Sequence, residues 1–108
     1  MKYWAVTFSR LPADAMAIYP VMIFRKQALK RSRIIINHEQ VHFKQQLELL
    51  IIFFYPMYFL HYLFNLLRYR NHRQAYLQIC FEREAYANER DLGYPKRRKA
   101  YAWIDYFS

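Results

Sequence analysis

The sequence predicts a mainly α domain with a short β element at its N-terminal end. Three observations carry that expectation. One Gly and four Pro among 108 residues leave little turn material, which favours long helices and short connections. Residues 40–50 contain neither Pro nor Gly and are rich in helix formers. The β-branched and aromatic stretches that read as strands all fall before residue 38. Hydrophobic residues make up 56% of the chain, with 11 Tyr and 9 Phe, so one core is adequately supplied and residues 1–108 read as a single domain.

The elements follow in order. Residues 3–8 suit a short strand, and 11–15 a turn or short loop. Residues 17–24, AIYPVMIF, are strand-like but contain Pro20, which predicts an edge strand. Residues 33–37 form a β-branched stretch ending in Asn37, a good N-cap. A helix is expected over 38–55 and a second over 57–69. Asn71 would cap a third, which carries Glu82 and ends near Gly93, a plausible C-terminal cap. Pro95 then admits a last helix over 96–106, anchored by Tyr101, Trp103, Ile104 and Tyr106.

The most informative run is His38-Glu39-Gln40-Val41-His42, an HExxH pattern. On a helix, residues four apart share a face, so His38 and His42 can aim imidazole nitrogens at one ion. Glu39 is rotated off that line and reaches a metal-bound water instead. Zinc lowers the pKa of such a water towards neutrality, and a carboxylate then takes its proton. A catalytic zinc needs a third protein ligand and an open position. The strongest source is the helical stretch FEREAYAN, where Glu82, Ala85 and Tyr86 share a face. The small Ala85 permits close approach to the HExxH helix, and Tyr86 lies one turn beyond Glu82. Glu84 is the rival ligand, but at two residues' distance it points elsewhere, towards Arg83, another basic side chain or solvent. A lone Cys such as Cys80 is usually a small buried apolar residue. His61 and His72 are the other histidines.

HEQVH followed by EREAY resembles the gluzincin metallopeptidases, and more closely their prenyl-protein peptidase branch, whose second motif reads ExxAD. NHEQVHFKQQLELL with FEREAYANE is also similar to a family of short, uncharacterised bacterial proteins of metallopeptidase type. The resemblance covers about residues 18–92. It implies a small zincin-like helical domain with His38, His42 and Glu82 holding Zn2+ and Glu39 as the general base. Tyr86 stands where the branch has an Asp that supports a zinc-binding His, so the groups behind the ligands must differ here.

A zinc-dependent peptidase acting on a peptide or protein substrate is therefore expected. Glu39 would take a proton from water and pass it to the leaving amine. Tyr86 and His72 are candidates for hydrogen-bonding the oxyanion. Residues 17–24 are a candidate cleft wall on which substrate pairs as an added strand. The alternative is a non-catalytic membrane-surface or protein-interaction module with a structural or vestigial metal site. That reading requires a fourth ligand, such as His72 or Glu84, to close the open position.

Net charge is +9, from 17 Lys and Arg against 8 Asp and Glu, which points to an anionic partner. Basic clusters at 25–33, 68–73 and 96–99 border aromatic and apolar segments, favouring an anionic membrane surface. A nucleic-acid partner fits less well, because the aromatics sit in apolar runs rather than between basic residues. One Cys excludes an intramolecular disulfide and fits a reducing compartment. The N-terminal apolar stretch is too short for a secretory signal. The expected location is cytoplasmic, peripheral at the inner face of the membrane.

Residues 49–67, LLIIFFYPMYFLHYLFNLL, carry no charge and are long enough to span a bilayer. A single span, however, would put His42 and Glu82 on opposite sides of the membrane. The run is therefore expected to be broken at Pro56 into a hairpin at the lipid surface, or to form the core against the metal-bearing helices. The second arrangement, with peripheral lipid contact, is favoured.

Overall fold

The computed structural model describes residues 2–107. Three short strands open it: β1 (Trp4–Thr7), β2 (Ala15–Ile18) and β3 (Val21–Phe24). They form one sheet in the order β1-β3-β2, with β1 parallel and β2 antiparallel to β3. The single edge strand expected over 17–24 is thus two strands. Pro20, which has no N–H for a ladder, sits in the Tyr19–Pro20 turn between them, and of the two β2 is an edge and β3 is central.

After a 3-10 turn over Gln27–Arg31 come five helices: α1 (Arg33–Glu48), α2 (Phe54–Tyr69), α3 (His72–Leu77), α4 (Cys80–Asn88) and α5 (Tyr94–Arg97). A final 3-10 turn covers Ala102–Tyr106. The mainly α class is as expected, but the helix boundaries differ in instructive ways. Helix α1 starts before Asn37 because Ser32 is its N-cap, its hydroxyl accepting from the Ile35 N–H at 3.3 Å. The isoleucine run over 34–36 is therefore its first turn rather than a strand.

The same helix stops at Glu48, short of the expected 55. Leu50 and Ile51 take left-handed backbone angles, φ 55° and 66°, which no helix continues and which are costly for a β-branched residue. The chain break thus precedes Pro56. That residue lies in the first turn of α2, where a missing N–H costs nothing. Among the described residues, no helix is long and apolar enough to cross a membrane.

The expected third helix is split. Ile79 is extended between α3 and α4, and Asn71 caps only the first piece, accepting from the Gln74 N–H at 3.0 Å. Gly93 precedes α5 instead of ending α4 and has an ordinary negative φ of −90°. The expected helix over 96–106 is interrupted because Arg98 is extended and drawn inward. Its guanidinium pairs with Glu84 at 2.7 Å and with Glu48 at 2.9 Å. The Trp103 indole N–H donates to Glu48 at 3.1 Å, fastening the C-terminal segment to the end of α1.

Two apolar clusters form the core. Ala17, Met22, Phe24 and Phe43 join the sheet to α1, and Phe54, Ile79, Cys80, Phe81 and Trp103 join α2, α4 and the C-terminal turn. The apolar run is expected to form core with peripheral lipid contact, and its N-terminal part does pack into the core. In α2, however, only Phe54 and Asn65 are buried, and most of its Leu and Phe side chains are exposed.

Candidate metal centre

Helix α1 buries an unusually polar stripe. Asn37, His38, His42, Gln45 and Gln46 recur at helical spacing on its inner side. Each is tied to another element, since an unpaired buried polar group is costly. Asn37 donates to the Asn88, Glu89 and Asp91 carbonyls at 3.2, 2.8 and 2.9 Å, satisfying the exit of α4. Gln46 accepts from the Tyr19 N–H at 2.7 Å and donates to the Ala17 carbonyl at 2.8 Å, holding the sheet against α1. Between these two ties lie the histidines.

Both rings are oriented from behind. His38 Nδ1 lies 2.8 Å from Glu89 Oε1, and His42 Nδ1 lies 2.8 Å from Gln45 Oε1. Each acceptor takes the Nδ1 proton and leaves Nε2 facing forward, as metal-binding imidazoles require. Glu82, in the first turn of α4, meets them: its Oε1 is 3.0 Å from His38 Nε2 and 3.2 Å from His42 Nε2. All three side chains are buried, and among the described residues they form a group able to hold a metal ion. In tetrahedral coordination at 2.0–2.2 Å, ligand atoms lie about 3.3–3.6 Å apart. The two carboxylate–imidazole distances fall just short of that, and all three ligand atoms lie within 4.8 Å of one another. The other Glu82 oxygen accepts from the Tyr58 hydroxyl at 2.7 Å, leaving one oxygen for the ion.

His42 and Glu82 balance each other's charge. Burial alone would lower the His42 pKa, but the adjacent Glu82 carboxylate, its hydrogen bond and Glu39 raise it to about 9. Burial alone would raise Glu82, but His42 and the hydrogen bonds from both imidazoles hold it well below the usual carboxylate range. The place is thus built for positive charge, which a bound cation would supply in place of a proton.

Glu39 is different. It is 6% exposed and has no protein hydrogen-bond partner among the described residues. Burial pushes its pKa up, only partly offset by His42 and His38. It lines a cleft of about 540 Å³ together with His38, His42 and Glu82. The opposite walls are Ala15–Ala17 of β2, Tyr55 and Tyr58 of α2, and Tyr76 and Tyr86. The Ala17 carbonyl, on the free edge of β2, is already taken by Gln46 and by the Tyr55 hydroxyl at 2.8 Å. By strand alternation the backbone groups of Ala15 also face that edge.

The rival residues are placed elsewhere. Glu84 is fully buried, but it is occupied by Arg98, the Tyr94 hydroxyl at 2.6 Å and Gln45 Nε2 at 2.9 Å. Gln45 therefore links His42 to this buried ion pair. Cys80 belongs to the apolar core, and burial pushes its thiol up to about 12. His61 accepts from the Cys80 N–H at 3.1 Å and stacks on Phe107. His72 lines the cleft with Nδ1 at 2.7 Å from the Tyr62 hydroxyl. The Tyr86 ring packs edge-on against His38 with centroids 4.5 Å apart, and its hydroxyl meets that of Tyr76 at 3.0 Å.

Sequence reading missed Glu89, Gln45 and Tyr58. Two of these carried a signal: Gln45 follows His42 by three residues, and Glu89 follows Glu82 by seven, or two turns. The group behind His38 is Glu89, not the residue at position 86. Tyr58 carried no signal within an apolar run. Comparison with protein-family models, with curated proteins and with solved structures finds no match to this chain.

Proposed function

We propose that the chain is a zinc-dependent hydrolase of peptide bonds. The observation that carries this reading is the convergence of two Nδ1-anchored imidazoles and one monodentate carboxylate beside a buried carboxylate without a protein partner. Zinc held by His38, His42 and Glu82 supplies Lewis acidity and brings water towards ionisation at neutral pH. Soft thiolates are absent from the trio, and a set of two imidazoles and a carboxylate suits zinc in a hydrolytic site.

Glu39 acts as the general base, taking a proton from water at its carboxylate and returning it to the leaving amine. Its raised pKa suits both directions of transfer. The backbone of Ala15 offers a substrate strand a pairing edge beside Glu39, with Ala17 already satisfied and marking its end. Tyr76 and Tyr86 close the far side of the cleft. A purely structural metal site would need a fourth protein ligand. Glu84, one candidate, is committed to Arg98, and the group among the described residues has three members.

The test compares wild type with His42→Ala and Glu39→Gln. Metal content is measured by mass spectrometry, and hydrolysis is followed on a mixed peptide digest. One zinc per chain is expected in wild type and in Glu39→Gln, with strong loss in His42→Ala and cleavage by wild type alone. Equal metal in all three proteins, or cleavage by Glu39→Gln at the wild-type rate, overturns the proposal.

A further inference from the structure

Helix α2 is inside out. On a helical wheel its Tyr55, Tyr58, His61, Tyr62 and Asn65 face the protein. Their polar atoms are used there: on the Ala17 carbonyl, Glu82, the Cys80 N–H, His72 and the Ala75 carbonyl respectively. The opposite arc, about 140° wide by helix geometry, is Pro56, Phe59, Leu60, Leu63, Phe64 and Leu67. Its large side chains are 38–79% exposed. Leu50, Ile52 and Phe53 extend this surface into the loop before α2, at 52–71% exposed. A helix in water has the reverse arrangement, and an apolar surface of this extent marks a contact site.

Charge selects the occupant. Between Glu48 and Glu82 the chain has no acidic residue, and Arg68, Arg70 and Arg73 stand exposed at the C-terminal end of the stripe. A second copy would bring another +9 charge against this one. An anionic lipid surface meets both features at once, with acyl chains for the stripe and headgroups for the arginines. A second feature agrees. A groove of about 550 Å³, lined by Met57, Leu60, Phe64 and Phe107 with Arg68, shares the stripe's own residues and has room for an acyl chain.

We propose that α2 lies in the plane of an anionic bilayer, with its Phe59–Leu67 face in the acyl region and Arg68, Arg70 and Arg73 at the phosphates. Tyr55 and Tyr58 on its inner side line the cleft, so the docked chain holds its metal centre about one helix diameter, ~10 Å, from the lipid. This inference is independent of the hydrolase reading, and its test uses no activity.

The purified protein is mixed with sucrose-filled vesicles of phosphatidylcholine alone, or with roughly 30% phosphatidylglycerol to give an anionic surface, and sedimented at low and high salt. Binding to the anionic vesicles is expected to exceed that to neutral ones at least tenfold and to weaken with salt. Leu60→Glu with Phe64→Glu, both on the exposed arc, is expected to lose at least tenfold with an unchanged melting temperature. Equal binding to both vesicles, equal binding by the double variant, or a stable dimer in light scattering that the double variant abolishes overturns it. If the double variant lowers the melting temperature, Arg68→Glu with Arg70→Glu and Arg73→Glu decides the matter: retained anionic-vesicle binding overturns the proposal, and loss supports it.

Discussion

Removing the carboxylate behind His38 tests how the site is built. Glu89 Oε1 lies 2.8 Å from His38 Nδ1, a geometry for a charge-assisted hydrogen bond. Its side chain is 21% exposed, so water partly replaces it when it is lost. Groups in this position usually govern metal affinity by about 10–100-fold, or ~1.4–2.8 kcal/mol. Glu89→Gln keeps an acceptor and removes the charge, so zinc affinity should fall about tenfold, the low end of that range. Glu89→Ala also frees the ring to rotate, and its loss should approach about a hundredfold. The main-chain carbonyl of Glu89, which Asn37 holds, is untouched by either change. The assay is competition with a chromophoric zinc chelator at fixed pH, alongside circular dichroism. Wild-type affinity in a well-folded Glu89→Ala would refute the idea that this carboxylate orients the ligand.

Other consequences follow from the same contacts. Arg98→Met leaves Glu84 as an uncompensated buried charge, and breaking such a pair costs about 3–5 kcal/mol. Against the ~5–15 kcal/mol stability of a small domain, that change should lower the melting temperature sharply or prevent folding. A denaturant midpoint equal to wild type would contradict it. In the metal-free protein, His42 has a folded pKa raised to about 9, above its unfolded value near 6.5. Its stabilisation is therefore full below about pH 6.5 and disappears as pH rises through 9. Glu39, a carboxyl whose pKa is raised on folding, works in the same direction above its unfolded value. Glu82 has a depressed pKa, so its contribution is present above about pH 4.5 and declines as pH falls. Urea midpoints of the metal-free chain should consequently decrease between pH 6.5 and 9.5, and a flat profile would count against the charged His42–Glu82 pair. Zinc loading at pH 7 should release protons, because His42 must become neutral to bind. Calorimetry in buffers of different ionisation enthalpy measures that release.

Much of the candidate trio is legible because its residues obey helix periodicity. His38 and His42 are one turn apart, and Glu82 lies on a second helix-forming stretch with Ala85 and Tyr86 on its face. The long-range ties were not legible. Nothing local in residue 98 reports that its guanidinium will reach Glu84 and Glu48, and that reach is what interrupts the expected last helix. Ser32 was overlooked as a cap because the isoleucines after it favour strands locally, while tertiary burial against the sheet makes them a helical turn. The apolar run is legible only in part: Phe54 joins the core, with Leu49, Tyr55, Met57, Tyr58 and Tyr62 packed against it. Total hydrophobicity says how much apolar surface a segment has, but not which side meets the protein. In α2 the tyrosines, Asn65 and His61 turn inward because partners for their polar atoms lie there. The leucines and phenylalanines are left outside.

The most direct test is crystallographic. Crystals grown with zinc, with data collected on both sides of the zinc absorption edge, should give one strong anomalous peak. It should lie about 2.0–2.2 Å from the Nε2 atoms of His38 and His42 and from one oxygen of Glu82, with Glu39 beside it and not bound to it. A peak elsewhere, or a Glu82 carboxylate turned away from the two imidazoles, would contradict the central claim.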